Sequence, residues 1–413
     1  MYLYNSLAPL PHPCFKAGGR GRPAPYSPVM GDARARGEAA PGSSFLAPSG
    51  QGRGCFPKMF ITLFVLFSLA NSVILKSFAH EVGCTRCGVH CVDCRGLRSL
   101  DDLFLALGTE AHGGTRLLKL VVRDSSLGGL RADSLPKLYS LRTLLLERCG
   151  LGESGIHEGA FAGVPSLTRL SLAGNALREF NALYLAQALP RLEELELAGN
   201  LLSELPLARN TTMPSLTVLS LHRNGLRMLD SATLAVAPAL RELDVGFNAL
   251  RRVHSGSSTT TRSPHRFLQT LQLGGNTELG VAHGSGKALA AALGKFFPSL
   301  QTLGVSQTSL GPMGVGGALL EQLPALRSLD LSGNAIDGSE LVFGPPAAGR
   351  PCALERVDLS ANSIHVLARE WLHALCRPSL RVLDLRANGI AAIACGALEG
   401  VRLDAFHLSE RAL

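Results

Sequence analysis

Four cysteines fall within eleven residues, in "CTRCGVHCVDC", at Cys84, Cys87, Cys91 and Cys94. Two chemistries suit such spacing. Paired C-x-x-C steps can supply thiolates to zinc, and thiols this close in an oxidising compartment close into disulfides. Only three residues separate the two pairs, which is short for the loop between zinc knuckles, so disulfides are the preferred reading and zinc the alternative. Cys352, Cys376 and Cys395 lie late in the chain. Three thiols cannot all pair among themselves, so one bond across adjacent returns is expected, with a partner for the third cysteine in sequence beyond this chain.

A second set of groups is acidic. Glu196, Asp244, Asp330, Asp358 and Asp384 each follow a leucine or valine in segments such as "LELAGN" and "LDLSGN". Carboxylates stacked one strand apart raise one another's pKa or gather a cation. The same residues also read as a plain structural feature of a recurring segment, and that reading is preferred. No G-x-x-x-x-G-K-[ST], H-E-x-x-H or G-x-S-x-G motif occurs, and histidines are scattered singly. No catalytic residue, metal site or cofactor is assigned, and the chain reads as non-enzymatic.

The elements that hold these groups repeat. "LTRLSLAGNAL" begins at Leu167, "LEELELAGNLL" at Leu192, "LTVLSLHRNGL" at Leu216 and "LRELDVGFNAL" at Leu240. Positions 1, 4, 6 and 11 are apolar and position 9 is Asn. Further copies begin at Leu117, Leu141, Leu268, Leu300, Leu326, Leu354, Leu380 and Leu403, at intervals of 23 to 32 residues. Positions 4 and 6 carry the two-residue period of a short strand, one face in and one face out. A single such strand cannot bury its apolar face; stacked copies form a parallel sheet over a continuous leucine core. Asn175, Asn200, Asn224, Asn248, Asn276, Asn334, Asn362 and Asn388 form an expected hydrogen-bond ladder where the chain turns away from each strand. Ser125, Cys149, Thr308 and Arg411 take that place in less regular copies. A reactive thiol is the alternative for Cys149. Most returns between strands are short and broken by Pro or Gly, but "GSGKALAAALGKFFPS", Gly284 to Ser299, is rich in helix formers and predicts a true helix.

This frame resembles the leucine-rich repeat family over about Leu117 to Leu413, with roughly 12 copies. The resemblance implies an α/β solenoid with a parallel sheet on its concave face and irregular or short helical returns on its convex side. The run ending in "VDCRGL" resembles the cysteine-rich N-terminal cap of extracellular members such as Toll-like receptor ectodomains. That cap's topology would pair Cys84 with Cys91 and Cys87 with Cys94.

The expected organisation is therefore a cap over 80–116 and a repeat domain over 117–413. Upstream, Met59 to Ala79 has an apolar run followed by small residues, the shape of a secretory signal, with a single-pass anchor as the alternative. Residues 1–58 are rich in Pro, Gly, Ala and Arg and fit no folded domain; a mis-assigned start before Met59 would explain them. The repeats run to Leu413 with no cysteine-rich closing cap, so the domain reads as truncated there. "NTT" makes Asn210 a glycosylation sequon, on the return side of its repeat. "HSGSSTTTRSPHRF", His254 to Phe267, reads as a surface loop.

Charge excludes one class of partner. The net +8 is concentrated early: residues 1–79 hold 8 of 40 Lys+Arg and 2 of 32 Asp+Glu, leaving 32 against 30. Nucleic acid is not an expected partner, and membrane contact is expected only through an N-terminal anchor or a span beyond the sequence. Function should lie on the concave sheet, where the middle strands present Glu193, Glu194, Glu196, His222, Arg223, Arg241, Glu242, Asp244 and Phe247. Mixed charge around one aromatic suits a protein ligand, with Phe247 as anchor. A core Phe turned by a local bend is the other reading of Phe247. The early strands present Val121 and Leu145, which can instead pack against the cap. An extracellular recognition module is the leading expectation. An intracellular scaffold resembling ribonuclease-inhibitor-type repeats is the alternative, favoured by the long returns near Leu268 and Leu300.

Overall fold

The computed structural model describes residues 83–408 except 112–115, 153–154, 208–211, 231–233, 255–264, 284–285, 311–314, 339–340 and 345–350. The N-terminal extension, the leader at 59–79, Asn210, most of the Ser/Thr-rich loop, Arg411 and Leu413 lie outside the described residues.

Among the described residues, fourteen strands form one sheet. It begins with an antiparallel hairpin, β1 (Cys84–Gly88) and β2 (Cys91–Arg95). From β2 onward every neighbour is parallel: β3 (Lys119–Arg123), β4 (Thr143–Glu147), β5 (Arg169–Ser171), β6 (Glu194–Glu196), β7 (Val218–Ser220) and β9 (Glu242–Asp244). β11 (Thr270–Gln272), β12 (Thr302–Gly304), β13 (Ser328–Asp330), β14 (Arg356–Asp358), β16 (Val382–Asp384) and β18 (Ala405–His407) complete it. Two small parallel pairs lie on the returns, β8 (Met228–Asp230) with β10 (Arg252–His254) and β15 (Val366–Leu367) with β17 (Ala392–Ile393). The repeat frame is thus the sheet's register: Leu170, Leu195, Leu219, Leu243 and Leu271 stand side by side. All five are buried. The frame's final copy is looser, since Phe406, at the inward position of β18, is 37% exposed.

The asparagines form the expected ladder. The amide of Asn200 donates to the carbonyls of Leu172 and Leu197, at 3.0 and 2.8 Å, and its oxygen accepts from the backbone N–H groups of Asn175 and Leu177. One side chain thereby satisfies four backbone groups of two coils that no strand partner reaches. Thr308 substitutes by donating its hydroxyl to the Val305 carbonyl at 2.7 Å. Ser125 accepts from the N–H of Leu97, which extends the ladder into the cap. Cys149 places its thiol 3.3 Å from the Val122 carbonyl and is fully buried; burial pushes its pKa up to about 12. It is a ladder residue, and its thiol is held away from the reactive thiolate form.

Helices occupy some returns. α1 (Leu100–Ala111) starts at Ser99, whose hydroxyl accepts from the N–H of Asp102 while the Asp102 carboxylate accepts from Arg98, a reciprocal cap. Its Leu103, Ala106 and Leu107 fall on one buried face. α2 (Ala182–Ala188) is capped by Asn181. α3 (Leu279–His283) and α4 (Gly286–Phe296) lie in the longest repeat and α5 (Val315–Gln322) in the one after it, and α4 is the helix predicted over Gly284 to Ser299. No helix among the described residues is long and apolar enough to cross a membrane.

The cap cysteines form disulfides, leaving no thiolate there for zinc, but the connectivity corrects the expectation. Cys84 bonds Cys94, and Cys87 bonds Cys91. The reason is the hairpin. β1 and β2 pair with Cys84 opposite Cys94 and Arg86 opposite Val92, so partners nest around the turn. Joining Cys84 to Cys91 would need a slide of three residues one way and joining Cys87 to Cys94 a slide of three the other way, so no single register of the hairpin allows both. Later in the chain Cys352 bonds Cys376, and Cys395 is free and exposed.

Candidate functional site

Residues at position 5 of each copy face outward from the sheet, opposite the leucine core, and position 8 sits in the turn that follows. Position 8 has a constant backbone: φ is 54° at Arg148, 69° at Gly174, 66° at Gly199, 54° at Arg223, 53° at Phe247 and 76° at Gly275. This left-handed conformation suits glycine, and a bulky side chain held there costs on the order of 1 kcal/mol or more. Phe247 is held there all the same, and it is 46% exposed. It is not a core residue turned by a bend.

Its surroundings explain how it stays put. The ring lies over Gly275 of the next repeat so closely that a Cβ on Gly275 would sit 2.7 Å from it. From the preceding repeat, the His222 ring packs at 5.0 Å between centroids and the Arg223 guanidinium lies 5.6 Å from the Phe247 centroid. Such a cation over an aromatic face contributes about 0.5–1 kcal/mol when exposed. His222 is held in turn by Asp244, with Nδ1 and Oδ2 3.5 Å apart. Gly246 leaves the room for this pair, since a Cβ there would meet Asp244 Oδ1 at 3.1 Å and His222 Nδ1 at 3.2 Å. His222, Arg223, Asp244 and Phe247 therefore make one cluster.

The remaining predicted residues are spread. Glu196 lies two strands from Asp244, with Ser220 between them. Glu194 and Glu242 occupy position 3, and exposed Glu193 and Arg241 occupy position 2, all toward the start of their strands. Glu194 pairs with Arg169 at 3.0 Å. The Glu196 carboxyl is held above the ordinary carboxylate range, first by burial and then by the charge of Glu147. Val121 is buried beside Asp93 of the cap, in register with it, while Leu145 is half-buried.

The acidic row divides. Asp244, Asp330, Asp358 and Asp384 each accept, through Oδ1, a hydrogen bond from the N–H two residues ahead, at 2.8–3.0 Å. They close their own turns. Asp384 also takes both arms of Arg386; burial alone would raise its pKa, but the Arg386 hydrogen bonds outweigh it and the carboxyl is held low. Sequence reasoning passed over Gly275 and Ser171. Gly275 was legible as the position-8 glycine after Phe247. Ser171 carried no signal except its small size at position 5.

Comparison with known proteins agrees with this geometry. Leucine-rich repeat models match residues 190–250 and 322–339. The chain is a leucine-rich repeat protein. Neither matching model describes a catalytic domain. Podocan-like protein 1 of Mus musculus is 30% identical over 317 residues, 72% of this chain and 49% of the relative. Toll-like receptor 12 of Mus musculus is 27% identical over 385 residues, 74% of this chain and 41% of the relative. The leucine-rich repeat domain of APL1B, a solved structure, is 21% identical with a TM-score of 0.49, over 83% of each chain. The chain spans under half the length of these two curated relatives.

Proposed function

We propose that this leucine-rich repeat protein is an extracellular recognition module that binds a protein ligand on the outward face of its sheet around Phe247. The observation that carries the reading is Phe247 itself. An aromatic side chain is kept in strained backbone, half in water, and braced by Gly275, His222 and Arg223. Rigid aromatic anchors with charged neighbours are where binding energy concentrates. Glu193, Glu194, Glu196, Arg241, Glu242 and Asp244 supply the charged surround that sets register with the ligand.

The extracellular part of the reading is supported by three disulfides, bonds that persist in oxidising compartments. One relative is by name a receptor. The reading includes a secretory signal at 59–79, a glycan on Asn210, no nucleic-acid partner, and membrane attachment only through an N-terminal anchor or a span outside this sequence. The second reading, an intracellular scaffold, is favoured by α3, α4 and α5, and it predicts free thiols throughout. Expression of the full chain in secretory cells, with intact mass measured before and after reduction and glycosidase, separates the two. Secreted protein with three disulfides and a glycan is expected; cytosolic protein with ten free thiols would overturn the reading.

A further inference from the structure

Position 5 crosses β5, β6 and β7 as Ser171, Glu196 and Ser220, in direct register. Leu170 and Leu172 on either side of Ser171 are fully buried in the core, so Ser171 points to the outward face. Even so, Ser171 is 1% exposed and its Oγ has no hydrogen-bond partner. Native proteins keep few buried hydroxyls in that condition, and each one calls for an explanation.

Its neighbour is under-compensated too. Glu147 is paired with Arg123 at 2.9 Å and Glu194 with Arg169 at 3.0 Å. Among the described residues, the Glu196 carboxylate makes neither a hydrogen bond nor an ion pair. The guanidinium groups nearest Glu196 are thus engaged by other carboxylates, Arg169 reaches it only through space, and Glu196 stands between two serines. Both defects are cured by the same thing, a donor that carries positive charge.

We propose that Ser171, Glu196 and Ser220 form a notch that receives the ammonium group of a lysine from the protein ligand. The proposal rests on the reading that the ligand docks on the outward face. An ammonium brings one charge for Glu196 and three donors, enough for the carboxylate and a hydroxyl on each side once the side chains that cover Ser171 Oγ give way to it. The three positions follow one another at the strand spacing of about 4.8 Å, a row suited to a compact point charge. A guanidinium would direct its planar fork at Glu196 and leave Ser171 unmet. A metal ion fits worse. The row offers a single anionic ligand where calcium takes six to eight oxygens, and no metal-holding group of three His, Cys, Asp or Glu occurs among the described residues. Burial and repulsion from Glu147, which hold the Glu196 carboxyl high, are the penalties an arriving cation relieves. Phe247 follows β9, two strand spacings or about 10 Å from β6. An extended ligand segment spans that in about three residues, so its lysine and the apolar side chain over Phe247 should lie three or four residues apart.

The test selects random twelve-residue peptides on phage against the full chain, then titrates the recovered peptides against wild type, Glu196→Gln, Ser171→Ala and Phe247→Ala. None of the three substitutions touches the leucine core or the asparagine ladder, and thermal unfolding checks that each variant folds. Lysine-containing peptides are expected. Their affinity should fall tenfold or more on Glu196→Gln and by less on Ser171→Ala, and Glu196 dependence should vanish when the lysine is replaced by norleucine. Peptides that need Phe247 but ignore Glu196→Gln, or that carry arginine in place of lysine, overturn the notch and leave the outward-face reading standing. Peptides indifferent to all three variants, or a selection that yields none, overturn both.

Discussion

The outward face of β6, β7 and β9 and that of β13, β14 and β16 carry acids at the same frame position, yet they are chemically unlike. Asp330, Asp358 and Asp384 stand on consecutive strands and are turned back onto their own loops. Each carboxylate is committed to the fold. On the earlier strands Glu196 has one more methylene and makes no hydrogen bond to its own turn; it faces outward, held high by burial and by the charge of Glu147, which the charge of Arg169 offsets only in part. Asp244 closes its turn and also holds His222 against Phe247. The lesson is that a repeat frame states where a side chain starts, whereas its length decides whether it serves the turn or the surface.

Several substitutions sharpen that contrast. The largest effect belongs to the scaffold common to both regions. Asn200→Ala strands four buried backbone groups, and urea unfolding should show a loss of about 3 kcal/mol. Next comes Gly275→Ala, which puts a methyl into the Phe247 ring at a φ of 76°. It should destabilise by about 1–2 kcal/mol and displace Phe247, read as a change in that residue's aromatic NMR shifts. Asp358→Ala opens a turn and should cost about 1 kcal/mol, whereas Glu196→Gln should leave stability level or raise it.

The pH profiles of the two regions should have opposite slopes. Asp384 is held low when folded, so its contribution is present above the unfolded carboxylate pKa and is lost as pH falls through the depressed value. Asp384→Asn should flatten the acid limb of a stability-versus-pH curve. Glu196 is held high, so the folded state binds its proton more tightly and its penalty grows as pH rises through the raised value. Glu196→Gln should remove that penalty at neutral pH. The smallest intervention leaves stability alone: iodoacetamide at pH 8 should label exposed Cys395 and spare Cys149, whose thiol burial pushes up to about 12.

Much of this was legible in the chain. Strand positions, the asparagine ladder and its Ser125, Cys149 and Thr308 substitutes followed from spacing, because a sheet repeats with period two and each coil must satisfy the same backbone groups; the helix near Gly284 followed from its run of helix formers. The cap connectivity was not, since it depends on a hairpin register that cysteine spacing does not encode. Phe247 could be placed at position 8, but its company could not. That cluster depends on His222 leaning over Gly246 and the ring lying on Gly275, contacts between repeats 24 to 28 residues apart in sequence. Ser171 was invisible because a missing partner is a property of the packed structure.

The most direct measurement is a paired titration of one selected peptide ligand against Phe247→Ala and Asp358→Ala. Binding on the face of β6, β7 and β9 predicts a loss of tenfold or more for Phe247→Ala and less than twofold for Asp358→Ala. Equal losses, or a larger loss at Asp358, would contradict the account.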